Sequence, residues 1–234
     1  MHRIRRVITT RVGGVSAPPY DSFNLGRGSG DEPAAVSANR ARLAASLRLP
    51  EDRLVWMRQV HGATVHTVDG PRAAPLPQGD GLVTTERGLA LVALAADCVP
   101  VLLADATAGV VGAAHAGRSG AAAGVAVAAV HAMMALGADP AGIDVLLGPA
   151  VCGRCYEVPA DLQAEVEAAL PGSATTTSRG TPGLDLRAGL ARQLQAAGVG
   201  AVVVDPACTV EDTRFFSHRR DGVTGRFAGL VWLA

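Results

Sequence analysis

The chain has 234 residues, of which 49% are hydrophobic and only 3% aromatic, and its formal net charge is zero. A hydrophobic content this high excludes an intrinsically disordered chain, and the balanced charge gives no basic surface for nucleic acid. Four cysteines are too few for a disulfide framework, so we expect a cytoplasmic protein. Of the two strongly apolar stretches, 88–104 is interrupted by polar residues and 121–136 is shorter than the ~20 residues needed to span a bilayer, so we expect no membrane partner.

Apolar periodicity predicts strands and helices along the whole chain. A strand at 4–10 is followed by a helix at 33–49 that begins at Pro33. Further strands are predicted at 54–59, 65–69, 82–85, 89–97, 99–105, 110–117, 143–147, 201–204 and 230–233, and further helices at 119–136, 159–170 and 185–197. The segments at 71–81 and 171–183 are predicted to be loops. No linker divides the chain, so we expect one α+β domain over residues 1–234 with some antiparallel pairing.

A predicted hairpin brings a cysteine and a histidine together. Strands 99–105 and 110–117 flank a turn-like segment at 106–109. If the loop is centred between Ala106 and Thr107, paired residue numbers add up to 213, and Cys98 then lies opposite His115. Side chains paired in this way have Cβ atoms ~5 Å apart. A bulge or a longer loop would break this register.

The pair has three interpretations: a buried thiol beside a hydrogen-bonded imidazole, a nucleophile and its base, or part of a metal site. His61, which precedes a glycine, is the natural third ligand; His2, His66, His131 and His218 are the competing candidates. Zinc sites with two His, one Cys and an open position are catalytic. Asp97 could support the site or act as its general acid or base, and it could equally cap a strand end.

Three other segments have weaker signals. Cys152 and Cys155 form a lone C-x-x-C, and a zinc ribbon requires a second pair, so we favour a structural role. The loop from His115 to Gly120 leads into a helix and could cradle an anion, although it lacks the lysine of a P-loop. Residues 215–226 could close over a site or form a turn.

These segments resemble the YfiH family, whose members were first named multicopper polyphenol oxidoreductases or laccases and later purine nucleoside phosphorylases or peptidoglycan editing factors. The resemblance runs from about residue 9 to about residue 226, through TTRVGGVS, PYDSFNLG, GDEPAAVSANRARL, WMRQVHG, GDGLVT, ADCVPVLLAD, AAHAGRSG, GPAVCGRCYEV, LDL and CTVEDTRFFSHRRDGVTGR. It implies a four-layer α-β-β-α sandwich with mixed sheets, and a metal site at His61, Cys98 and His115.

The resemblance implies phosphorolysis of adenosine, inosine and related purine nucleosides, together with adenosine deamination by attack of a zinc-activated water. Cys98, His115 and Asp97 are then the catalytic candidates. Copper also suits this ligand set, but six histidines without an H-x-H pair cannot build a multicopper oxidase. Two alternatives stay open: an amidase acting on a UDP-linked muramoyl-L-serine precursor, and a non-catalytic metal-binding or redox protein.

The substrate partners expected are a purine nucleoside and phosphate. Arg40, on the apolar side of its helix, and the Gly117–Gly120 loop with Arg118 are our phosphate-site candidates. Phe23, Asn24 and Gln59 are candidates to line a nucleoside pocket.

Overall fold

The strands and helices follow the order that the hydrophobic pattern predicts. The computed structural model describes residues 1–72 and 78–234, so part of the loop predicted at 71–81 lies outside the described residues. The helices of those residues are α1 (Pro33–Leu47), α2 (Arg118–Ala122), α3 (Val125–Ala135), α4 (Ala160–Ala169), α5 (Leu186–Ala196) and α6 (His218–Asp221). The strands are β1 (Ile4–Ile8), β2 (Leu54–Trp56), β3 (Val65–Thr67), β4 (Gly81–Thr84), β5 (Ala90–Ala95), β6 (Val99–Asp105), β7 (Val110–Ala116), β8 (Ile143–Leu147), β9 (Ala174–Thr176), β10 (Pro182–Leu184), β11 (Ala201–Val204) and β12 (Phe227–Leu233).

Two mixed sheets form the centre of the molecule. One has the strand order β1-β12-β5-β2, and the other has the order β11-β8-β6-β7-β4-β3. Most neighbours are antiparallel, while β2 with β5, β3 with β4, and β8 with β11 are parallel. This mixture confirms the predicted α+β class.

The alternation of side chains along the strands builds four layers. In β6, Leu102 and Ala104 belong to the core between the two sheets, whereas Val101 and Leu103 point to the core shared with α3 and α5. The four-stranded sheet likewise packs its other face on Leu43 and Ala44 of α1. The order is therefore helix, sheet, sheet, helix, as the resemblance implied. No helix in the described parts of the chain is both long and apolar enough to cross a bilayer.

Two predicted boundaries are wrong. The helix expected over 119–136 is two helices, α2 and α3, separated by Gly124 at a φ of 82°. Gly tolerates this left-handed conformation, so the chain changes direction there. The segment 171–183 is not a plain loop, because β9 and β10 pair in it as an antiparallel hairpin.

The predicted register of the β6–β7 hairpin is also wrong. Asp105 pairs with Val110 and Pro100 pairs with His115, so paired numbers add up to 215, and Cys98 immediately precedes β6 instead of lying opposite His115. The Asp105 carboxylate accepts hydrogen bonds from the N–H groups of Thr107 and Ala108, which moves the loop centre one residue along the chain.

Candidate active site

Three potential metal ligands meet where the sheets end. His61 lies in the loop after β2, Cys98 before β6, and His115 on β7. Their ligand atoms all lie within 4.8 Å of one another, with Cys98 Sγ 3.8 Å from His61 Nε2. The two imidazole rings are nearly perpendicular, with centroids 4.8 Å apart. Ligands ~2.0–2.3 Å from one zinc ion lie ~3.3–3.8 Å apart. The separation of Cys98 and His61 fits a shared ion, and small shifts would bring all three ligand atoms to these distances.

The register error does not separate Cys98 from His115. A shift of two residues leaves a side chain on the same face of a sheet, because side chains alternate with a period of two. His115 is buried at 3% exposure, whereas His61 is exposed and Cys98 is half-buried. The site is therefore closed at His115 and open at His61.

A buried carboxylate that the sequence analysis did not single out supports two of the ligands. Asp80, just before β4, is fully buried and accepts the Nδ1–H of His115 at 2.8 Å. The same carboxylate accepts backbone N–H groups from Val60, His61 and Gly62. Asp80 thus keeps a proton of His115 on Nδ1, makes Nε2 the nitrogen that can bind a metal once its own proton is lost, and shapes the loop that presents His61.

These hydrogen bonds shift three pKa values. Burial raises the pKa of the Asp80 carboxyl, but the hydrogen bonds from His115, Gly62 and Val60 outweigh it and lower that pKa. Burial likewise lowers the pKa of His115, but Asp80 and Cys98 raise it to about 9. Burial raises the pKa of the Cys98 thiol, but its contacts with His115 and His61 lower it to about 6. Cys98 is therefore a thiolate at neutral pH, which is the form that binds metals.

Gly117 packs directly against the metal ligands. It precedes α2, and a Cβ at this position would lie 2.5 Å from His61 Cδ2 and 3.1 Å from Cys98 Sγ. Any side chain here would displace a ligand. Gly117, one of the predicted anion-loop residues, thus lies beside the candidate metal.

A cavity of about 640 Å³ opens onto the trio, and all three ligands line it. Gln59 and Arg40 also line it, but both are engaged with the backbone. The Gln59 amide pairs with the N–H and C=O of Leu94. The remaining lining residues are Gly26, Arg27, Gly28, Ser29, Trp56, Met57, Arg58, Leu94, Ala95, Ala96, His218 and Arg226.

Arg40 is a buried cation inside this wall. Its Nε and Nη2 both donate to the Leu25 carbonyl, and its guanidinium stacks 3.6 Å from the centre of the Trp56 ring. Burial and the neighbouring Arg27 lower its pKa to about 9. These contacts explain why Arg40 is buried without any need for the phosphate role that the sequence analysis predicted.

Phe23 and Asn24 do not line the cavity. Phe23 belongs to the core beneath α1. Asn24 is fully buried, and its amide binds Ser29, Asp31 and the N–H of Arg226. It therefore connects Ser29 and Arg226, two residues that line the cavity, without lining the cavity itself.

A second cavity of about 150 Å³ adjoins the first on the other side of Cys98. Arg118, Arg219, Tyr156 and His218 line it, and His218 also lines the larger cavity. Asp97 borders it as well, at a φ of 96°. Both of its carboxylate oxygens accept hydrogen bonds, from Thr209 Oγ1 and from the N–H of Arg219, each at 2.6 Å.

Several residues of the site lay outside the predicted set. Asp80 supports the candidate ligands from within the core, and Trp56, Tyr156 and Arg226 line the two cavities. His218, which the sequence offered only as a competing metal ligand, lines both cavities. His218 and Arg226 stand in the segment 215–226 that the sequence analysis described as a possible cover for a site. The His218 ring is fixed, since its Nδ1 lies 2.6 Å from the Gly222 carbonyl, which can only accept. Its Nε2 is therefore the atom available to a ligand.

The chain is similar to a known protein family and to solved structures of bacterial proteins. The family model for "Multi-copper polyphenol oxidoreductase laccase" matches residues 5–234. The chain belongs to this family. Family members of known structure include YfiH from Bacillus licheniformis, 34% identical, with a TM-score of 0.92 over 99% of this chain and 93% of that one. YlmD from Geobacillus stearothermophilus is 37% identical, with a TM-score of 0.92 over 98% and 92%.

Two family members with higher identity bear an activity in their names. A protein from Mycobacterium tuberculosis is 63% identical over 99% of this chain and 92% of its own, and is named purine nucleoside phosphorylase. A protein of the same name from Streptomyces griseus is 57% identical over 96% and 92%. The family description refers to copper-dependent oxidation, whereas these names refer to phosphorolysis of nucleosides.

Proposed function

We propose that this family member is a purine nucleoside phosphorylase that holds a zinc ion at His61, Cys98 and His115. The observation that carries the proposal is a nucleoside-sized cavity of about 640 Å³ with all three ligands in its wall. The names of the 57–63% identical relatives support the same reaction. Three ligands are too few for the several coppers that the family description suggests.

The donor set fits zinc. It offers an imidazole oriented by Asp80, a second imidazole, and a thiol whose pKa is lowered to about 6. Histidine ligands of zinc commonly donate their other ring N–H to a carboxylate, as His115 does to Asp80. A zinc ion with an open position supplies Lewis acidity and lowers the pKa of bound water. The same ligands also suit copper, so metal analysis must decide between the two.

We assign phosphate to the smaller cavity. Phosphorolysis breaks the bond between the purine nitrogen and ribose C1′, and a phosphate oxygen forms the new bond to C1′. Arg118 and Arg219 line the smaller cavity and would offset the phosphate charge. His218 lies where the two cavities adjoin, and its Nε2 can exchange a proton with the leaving base or with phosphate.

In this proposal the nucleoside occupies the larger cavity, between Trp56 and the trio. Arg27, Arg40 and Arg226 surround it, and they suit the oxygen-rich ribose and the purine acceptors. Asp97 acts by position, because its two hydrogen bonds tie the segments of Thr209 and Arg219 beside Cys98. Adenosine deamination at the same metal is a second proposal, because three protein ligands would leave one position of a four-coordinate zinc open.

The test is release of hypoxanthine and ribose 1-phosphate from inosine and phosphate by the zinc-loaded protein. Cys98→Ala and His61→Ala should abolish release, while His131→Ala, the same change at an exposed residue of α3, should retain it. Arg118→Met should raise the KM for phosphate more than the KM for inosine. The proposal is overturned if the protein forms no product when it is loaded with zinc and none when it is loaded with copper.

Two further substrates separate the alternatives. Inosine formed from adenosine without phosphate measures the deaminase activity. Cleavage of a UDP-linked muramoyl-L-serine with no turnover of nucleosides would favour the amidase instead. Metal binding without turnover of any of the three substrates would favour a non-catalytic protein.

A further inference from the structure

A second cluster of potential metal ligands lies apart from the first. Cys152, Cys155, Cys208 and Glu211 each offer one ligand atom, and these atoms all lie within 4.8 Å of one another. The Cys155 thiol lies 3.5 Å from a Glu211 carboxylate oxygen, and the Cys152 N–H donates to Cys208 Sγ at 3.4 Å. All three cysteines are free.

The four residues come from two turns with the same hydrogen-bond pattern. In the first turn, the Cys152 carbonyl accepts the N–H groups of Cys155 and Tyr156 at 2.9 and 3.0 Å. In the second turn, the Cys208 carbonyl accepts the N–H groups of Glu211 and Asp212 at 3.1 and 2.8 Å. Each turn therefore presents two ligands three residues apart on one side. The second turn is the pair that the C-x-x-C motif lacked, with Glu211 in place of a fourth cysteine.

Sheet topology brings the two turns together. The first follows β8 and the second follows β11, and these strands are parallel neighbours. Parallel strands end at the same edge of a sheet, so the chains leaving them lie side by side. A bridge between Ala150 and Cys208, with the Thr209 N–H donating to the Ala150 carbonyl at 3.1 Å, continues the pairing up to the ligands. The cluster is thus held by backbone contacts that do not depend on an ion.

We propose that these four residues bind a structural zinc ion through three thiolates and one carboxylate. Thiolates ~2.3 Å from one zinc lie ~3.8 Å apart, which the present spacing accommodates with small adjustments. Four protein ligands make a closed site with no position for substrate. Cys208 is buried, whereas Cys152 and Cys155 are half-buried and Glu211 is exposed, which leaves a path for the ion to enter.

Two arginines hold the backbone that carries the second pair of ligands. Arg220 Nη1 donates to the Thr209 carbonyl, within the second turn, at 2.7 Å. Arg187 Nη1 donates to the carbonyls of Asp205 and Ala207 just before Cys208. Two guanidinium groups therefore lie against the segment that carries Cys208 and Glu211.

The zinc would brace one wall of the active site. Val151, next to Cys152, donates its N–H to the Asp97 carbonyl at 3.0 Å, and Thr209, next to Cys208, donates its hydroxyl to the Asp97 carboxylate. Asp97 directly precedes Cys98. Crosslinking the two turns would therefore hold the backbone on which Cys98 sits, whatever reaction the first site performs.

Zinc content per chain, measured by elemental mass spectrometry on the full-length protein purified under reducing conditions, tests the proposal. We expect about two equivalents in the wild type and about one in both Cys98→Ala and Cys155→Ser. Glu211→Gln, a change at an exposed side chain that should not disturb folding, should bind the second zinc more weakly. One equivalent in the wild type, unchanged in Cys155→Ser, overturns the proposal.

Cobalt substitution gives a readout that is independent of activity. In Cys98→Ala, the remaining cobalt should show the strong charge-transfer absorption of several thiolates, and Cys155→Ser should lose most of that absorption. A chelator should lower the melting temperature of Cys98→Ala but not that of Cys98→Ala/Cys155→Ser. A disulfide among Cys152, Cys155 and Cys208, with no zinc in the reduced protein, would contradict the proposal.

Discussion

Replacing Asp80 by Asn tests whether one carboxylate organises the candidate active site. One oxygen accepts the N–H of His61 and the Nδ1–H of His115, and the other accepts the N–H of Gly62. An asparagine of the same shape must place an NH₂ group at one of these positions. If the NH₂ group takes the place of the oxygen that accepts from Gly62, the Gly62 N–H faces a donor. If it takes the place of the other oxygen, His115 must move its proton from Nδ1 to Nε2, and Nε2 can then no longer bind a metal.

The magnitude follows from these two outcomes. A buried N–H left without an acceptor costs about 1–3 kcal/mol of unfolding free energy. Loss of a carboxylate behind a histidine ligand lowers metal affinity about 10- to 100-fold, or about 1.4–2.8 kcal/mol. We therefore expect Asp80→Asn to lower both the stability of the metal-free protein and its affinity for zinc.

Competition with a chromophoric chelator measures zinc affinity, and urea denaturation of the metal-free protein measures stability. Asp105→Asn is a matched control, because Asp105 is also a buried carboxylate that accepts N–H groups, from Thr107, Ala108 and Asp139. It lies at the far end of β6, so this variant should lose stability but keep its zinc affinity at the first site. Zinc affinity within twofold of the wild type in Asp80→Asn would refute the reasoning.

Three further predictions concern the same region. Gly117→Ala should weaken zinc binding at least tenfold with little loss of stability, because its Cβ would displace His61 by about 1 Å; unchanged affinity in the chelator competition would contradict this. In the metal-free protein, alkylation of Cys98, followed by peptide mass spectrometry, should rise with pH through a midpoint of about 6, and His115→Ala should move that midpoint upward. Arg40→Lys should lower the free energy of unfolding by about 1–2 kcal/mol, because lysine neither stacks as well on the Trp56 indole nor makes both hydrogen bonds to Leu25. An unchanged midpoint of urea denaturation would count against this prediction.

The hydrophobic pattern was sufficient to predict most of the strands and helices, whereas the four layers were implied only by the family resemblance. Long apolar strands such as β6 and β7 are recognisable because the pattern of buried residues persists over seven positions. The helix break at Gly124 was missed because the apolar pattern continues through it, and a single glycine does not by itself end a helix. The hairpin register was missed because it depends on the side chain of Asp105, which hydrogen-bonds into the turn.

The candidate site was predictable where its residues are local and was not where they are distant. Cys98 directly precedes β6 and His115 lies on β7, the next strand, so their proximity follows from a short hairpin. Asp80 and His218 enter the site through tertiary contacts that no local pattern contains. The pairing of the C-x-x-C motif with Glu211 was invisible for the same reason, since it requires β8 and β11 to be neighbours.

The position of Asp80 has a consequence for how the protein would acquire the proposed metal. Its hydrogen bonds to the His61 loop and to His115 involve only protein atoms, so the ligands are arranged before an ion arrives. Folding and metal loading are then separate events: a newly made chain can mature first and take up its ion afterwards. The fraction of chains with metal in the first site would accordingly follow the concentration of available metal in the cell. A chain made when metal is scarce would fold without it and could bind the ion later.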